Sequence, residues 1–260
     1  MIRRHILTIL LIQISISSFG QIYIPIFLGS PQTLACKPRS KKALKYYKEA
    51  LYYENKNIYA SIEYFKGAIK EDSLFCDAYA SLINAYSTTK DYQSALNITD
   101  MALKKNSFDM GLIKAKGILL YKLMEYQKAS AYFGELIEKQ PGNMFWYYYS
   151  AESLIKLDLL DSAKVNTIKM ETIIHQGYHP DSKVLSYYLQ GKIAYHKNEF
   201  ELANRAFNMV KDDFNKNGEF CYYYGMTLMH QGDHKKAKKY LKRSAKRGYQ
   251  LNEEEKKLLD

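Results

Sequence analysis

The 260-residue chain is poor in the residues that build turns and cross-links: five prolines, 13 glycines and three cysteines. So few turn formers argue against a many-stranded β-sandwich and favour helices joined by short connections. Cys36, Cys76 and Cys221 are too few and too scattered for a disulfide framework or a four-thiolate zinc site. Cys76 and Cys221 read as small buried residues. Beyond the N-terminus, no apolar run is long enough to span a bilayer. No G-x-S-x-G, P-loop, H-E-x-x-H or dinucleotide fingerprint occurs. The expectation is a non-enzymatic protein without a cofactor or metal.

What the chain does have is 47% hydrophobic residues, 25 tyrosines and a formal charge of +11. That apolar content is ample for a folded core. The N-terminus carries Arg3 and Arg4, an apolar stretch from Ile6 to Ile16, and small residues at Ser18 and Gly20. This is the layout of a secretory signal peptide over 1–20, followed by a linker over 21–41. Export to a bacterial periplasm or cell envelope is expected, and losing Arg3 and Arg4 lowers the charge from +11 to +9. Cys36, after Thr33-Leu34-Ala35, is a weaker candidate for a lipid anchor, because Thr33 stands where a lipoprotein site has an aliphatic residue. Export also argues against a nucleic-acid partner, for which no motif is present.

The rest of the chain is periodic. Small residues fall at Ser61, Ala95, Ala129, Ala163, Ala203 and Ala237, with successive spacings of 34, 34, 34, 40 and 34. Twelve residues before four of them stand Gly117, Ala151, Gly191 and Gly225. Small side chains at two facing positions let paired helices approach closely, and neighbouring aromatics fill the space. Each pair leaves an apolar face for the next pair to cover, so the array grows by stacking.

With Tyr79-x-x-Leu82-x-x-Ala85-Tyr86, Asp91-Tyr92-x-x-Ala95, the set Gly117, Tyr126, Ala129, Phe133 and Pro141, and Gly225 with Gly232-Asp233 and Ala237, the chain resembles the tetratricopeptide repeat family. The resemblance implies an all-α fold, an α-solenoid winding as a right-handed superhelix. Six helix-turn-helix units are expected at 42–75, 76–109, 110–143, 144–183, 184–217 and 218–251, with a capping segment over 252–260. Departures occur. Glu49 and Ile83 occupy slots where the family prefers a small residue, and Thr99 and Thr167 replace an aromatic. The fourth unit is six residues longer, and Gly177 and Pro180 mark a loop that could bend the stack into four units plus two.

The resemblance also implies that the first helix of each unit lines a groove for a protein or peptide partner. That face carries Tyr46, Tyr53, Asn84, Lys114, Tyr121, Tyr148, Glu152, Tyr188, Lys192, Tyr195, Tyr222 and Met226. Tyrosine suits an interface, having a broad ring, a hydroxyl and little rotamer entropy to lose. Runs such as Trp146-Tyr147-Tyr148-Tyr149 span several helix faces, so some rings belong to the core. The last unit adds a basic patch of Lys235, Lys238, Lys239, Lys242, Arg243 and Lys246, a solvated outer face or a dock for an acidic partner, lipid head groups or anionic polysaccharide. His175, His179 and Asp181, and the pair His230 and His234, read as solvated loop residues rather than metal ligands.

Overall fold

The computed structural model describes residues 36, 38–107, 109–178 and 182–259, and all their regular structure is helical. The expected leader and the linker before Cys36 lie outside the described residues, as do His179, Pro180 and Asp181. The helices run in pairs: α1 (Lys41–Tyr53) with α2 (Ile58–Glu71), α3 (Cys76–Thr88) with α4 (Tyr92–Leu103), and α5 (Met110–Lys122) with α6 (Tyr126–Lys139). Then follow α7 (Met144–Lys156) with α8 (Leu160–Ile173), α9 (Lys183–His196) with α10 (Phe200–Phe214), α11 (Gly218–His230) with α12 (His234–Lys246), and a short α13 (Glu253–Lys257). A π-helical turn, Ile174–Tyr178, prolongs α8. The fold is an all-α solenoid of consecutively packed helix pairs. Its contacts form two compact units, one ending at Met209 and one beginning at Val210, inside α10.

Local chemistry starts these helices where they start. Ser40, Asn57, Asp91, Asp109, Asn143, Asn217 and Asp233 each accept a hydrogen bond from a backbone N–H of the first turn. Such caps satisfy donors that the helix itself leaves unpaired. The tight turns inside the pairs also repeat. Lys90, Met124, Asp158, Asn198 and Gly232 all have positive φ, between 59° and 81°. Only the last is glycine, so the other four residues carry a steric cost.

In the unit up to Met209, Ser61, Ala95, Ala129, Ala163 and Ala203 are fully buried, as are Phe65, Phe133 and Phe207 four residues after three of them. Gly117 and Gly191 explain the fit. A Cβ on Gly117 would come within 2.4 Å of the Phe133 ring, and one on Gly191 within 2.4 Å of the Phe207 ring. Where the pattern departs, the packing adjusts. Ala50 is buried on α1, and the Ser61 hydroxyl donates to its carbonyl at 2.8 Å, so the close contact moves one residue past Glu49. On α3 the bulky Ile83 is buried, while the α4 position that bears phenylalanine in α2, α6 and α10 is the smaller Thr99. The hydroxyls of Thr99 and Thr167 donate to Ala95 and Ala163 carbonyls of the preceding turn, at 2.8 and 2.9 Å.

The cysteines correct the sequence reading. Cys76 is exposed rather than buried, and it forms a disulfide with Cys36, with Cα atoms 5.7 Å apart. Spacing along the chain cannot reveal such a pair. The segment before α1 folds back on the α2–α3 turn, where Arg39 N–H donates to Asp72 Oδ2 at 2.6 Å and Cys36 N–H to Asp77 Oδ2 at 3.5 Å. A Cys36 sulfur held in this bond is not available for a thioether.

From Val210 onward, the end of α10 packs on α11 through Phe214 and Phe220, ring centroids 5.8 Å apart. Gly225 faces Leu241, leaving 3.0 Å for a Cβ, and Ala237 is fully buried beside it on α12. Cys221 is buried, as expected, and donates to the Asn215 carbonyl. Burial pushes its thiol up to about 11. Asn252 opens α13 with a capping box closed by Glu255.

Candidate functional site

The first helix α7 lies against both α5 and α9. Helix α7 is the most enclosed, because its run Phe145-Trp146-Tyr147-Tyr148-Tyr149 is apolar on every side. Tyr149 stacks on Phe133 at 5.3 Å, and Tyr148 meets Tyr149 edge-on at the same distance. Among these rings one turn of α7 presents a carboxylate. Lys192 Nζ of α9 pairs with Glu152 Oε2 at 2.7 Å, and the Tyr121 hydroxyl of α5 donates to the same oxygen at 3.0 Å. The Lys192 and Glu152 side chains are 0% and 5% exposed. Lys192 Nζ also stands 5.2 Å from the centre of the Tyr188 ring. A buried ion pair of this kind stabilises little against an apolar substitute, yet losing one partner strands the other charge. Its clear effect is to tie three successive first helices into one register.

This geometry corrects part of the expected groove wall. Tyr148, Glu152, Tyr188 and Lys192 are buried, so they are not open contact points. The reason is packing: they engage one another, Tyr121, Tyr149 and Phe207. Tyr46 and Tyr53 are half-buried against α2, where Tyr53 stacks on Tyr64 with centroids 5.4 Å apart. Half-exposed positions remain at Asn84, Lys114, Tyr121 and Tyr195. Lys114 lies 5.2 Å from the Phe145 ring centre, and burial holds its amine below the usual lysine range. In the C-terminal unit, Met226 is half-buried, and Tyr222 is drawn to the cap. Tyr222 stacks on Tyr249 at 4.4 Å, and its hydroxyl donates to Glu255 at 2.6 Å.

Two chemical features differ in how legible they were. The basic patch on α12 was plain in the sequence, but the structure sorts its members. Lys235, Lys239, Lys242 and Lys246 are exposed, whereas Lys238 and Arg243 are half-buried, with Arg243 5.1 Å from the Tyr240 ring centre. A cavity of about 810 Å³ between α8, α9 and α10 was missed. Its signal lay in Ile168, Leu202 and Met209, apolar residues at outward helix positions that the structure leaves exposed. Among the described residues, no three histidines, cysteines or carboxylates converge on one point.

No family model and no curated protein matches the chain. Solved structures do. A tetratricopeptide repeat protein from Parabacteroides merdae superposes with a TM-score of 0.61 at 15% identity, over 85% of this chain and 98% of that one. The Cut9–Hcn1 complex gives 0.63 at 12% identity, over 84% of this chain and 42% of that one. PilW, a type IV pilus biogenesis factor, gives 0.60 at 13% identity, over 85% of this chain and 100% of that one. The chain has a tetratricopeptide repeat fold. Within this fold, α1, α3, α5, α7, α9 and α11 are the first helices of the repeats, and α2, α4, α6, α8, α10 and α12 the second. The Tyr121–Glu152–Lys192 link therefore joins the first helices of three successive tetratricopeptide repeats.

Proposed function

We propose that the protein is a non-enzymatic scaffold that holds a protein or peptide partner along the first helices of its repeats. The observation behind this reading is the continuity of α5, α7 and α9, locked by the Tyr121–Glu152–Lys192 link. A rigid wall presents Asn84, Lys114, Tyr121 and Tyr195 at little entropic cost on binding. Tyrosine rings would supply contact area, Asn84 an amide for a partner backbone, and Lys114 a charge for a carboxylate. Export to the bacterial envelope belongs to the same proposal. The signal-like N-terminus supports it, and so does the Cys36–Cys76 disulfide, since such bonds persist in oxidising compartments.

Photo-crosslinking side chains placed at positions 84, 114 and 195 test the wall. A specific adduct at these sites, absent when the crosslinker sits at outward positions 165 and 209, is the expected result. Equal labelling from both sets, or from the outward set alone, would overturn it.

A further inference from the structure

Helix α12 carries a strongly charged surface, and its geometry says more than its composition. Ala237, Leu241 and Ser244 are fully buried on one face. Opposite them, Lys235, Lys239, Lys242 and Lys246 are exposed at offsets of four, three and four. That spacing puts four ammonium groups in one straight stripe, about 16 Å long at helical rise. No acidic residue occurs in the sequence between Asp233 and Glu253 to divide it.

Three neighbouring cations are engaged, and Lys238 is half-buried. Lys236 pairs with Asp233 at 2.7 Å. Arg243 lies over Tyr240, and Arg247 donates to the Lys216 carbonyl at 3.1 Å. The charge presented by the stripe is thus lysine alone. Arginine's planar fork suits fixed carboxylates and phosphates in a shaped site, whereas lysine is a mobile point charge on a flexible stem. Among the described residues, no large apolar side chain of α12 is exposed, so nothing marks a pocket-filling anchor for a protein partner. A straight row of flexible point charges without an anchor fits a surface whose own charges move.

We propose that the Lys235–Lys239–Lys242–Lys246 stripe docks the protein on a membrane surface rich in anionic phospholipid, by electrostatic attraction without insertion. This goes beyond the partner wall, since the stripe is on a second helix and needs none of the wall residues. The attraction would be strong near the surface, fall off within a Debye length and weaken with salt.

The test is co-sedimentation of the full chain with phosphatidylglycerol–phosphatidylcholine vesicles and with pure phosphatidylcholine vesicles, at low and at raised ionic strength. The expected result is salt-sensitive binding to the anionic vesicles. Replacing all four lysines by glutamine should weaken it about a hundredfold or more, with helicity unchanged by circular dichroism. Replacing all four by arginine, or Lys236→Gln alone, should leave binding within a few-fold of the native chain. Equal binding to pure phosphatidylcholine, or no loss in the glutamine variant, would overturn the proposal. So would tighter capture by soluble poly-glutamate than by the anionic vesicles, which would make an acidic protein the partner.

Discussion

Single residues carry the repeat pattern through the volume they leave empty. Gly117 is not conformationally special, since its φ is not positive; it is needed because Phe133 occupies the space of its missing Cβ. Gly134, on the same pair, has nothing within 4 Å of that position. Gly117→Ala is therefore expected to destabilise by about 1–3 kcal/mol through overpacking. Gly134→Ala should stabilise by about 1 kcal/mol through helix propensity. Denaturant titration of both variants checks the pair, and equal effects would refute the close-contact account. Both glycines look alike as isolated letters. The 34-residue beat distinguishes Gly117, because Ala151, Gly191 and Gly225 occupy the matching slot. Burial of Tyr148, Glu152, Tyr188 and Lys192 was not legible in this way. A helix-face projection says which side a residue is on, but not how closely the neighbouring helix approaches.

At the scale of elements, the segment before α1 is held to the start of α3 by more than one bond. The disulfide closes a 40-residue separation, and chain entropy assigns such a loop about 4 kcal/mol. Replacing Cys36 and Cys76 by serine is expected to lower the stability of the first repeat by up to that amount. Amide exchange should rise first in α1 and α2 and leave α7 unchanged; uniform loss of protection would show that the strap is not local. Asp72 acts at the same place. Backbone N–H groups of Arg39 and Leu74 hold its carboxyl below the usual carboxylate range. Because the folded group is the stronger acid, its contribution is complete above the ordinary carboxylate pKa and disappears as pH falls through the lower folded value. The strap should loosen in acid and not in mild base.

For the molecule as a whole, consecutive helix pairs mean that most interactions are between neighbours in sequence. Stability should then be close to a sum over repeats and their interfaces. Removing residues 110–143 deletes one 34-residue period and joins Asp109 to Met144. Asp109 would take over the capping role of Asn143, because both serve as N-caps. The shortened chain is expected to remain helical and to melt cooperatively at a lower temperature. Deleting only 126–143 removes a second helix and uncovers α5, and should cost most of the helical signal in the adjoining pairs. Thermal melts by circular dichroism distinguish these outcomes.

The sequence by itself determined the helical class, the pairing of helices and the small residues at their contacts. Each of these follows from local spacing: a recurring small residue meets the same neighbour at every turn of the pattern. Tertiary structure alone decided the disulfide, the buried Glu152–Lys192 link and the sorting of tyrosines between core and surface. Those depend on distances between residues remote in the chain, and periodicity does not encode such distances. The scarcity of glycine and cysteine thus has a structural meaning. Gly117, Gly191 and Gly225 are contact points, and two of the three cysteines fasten the N-terminal end of the described chain.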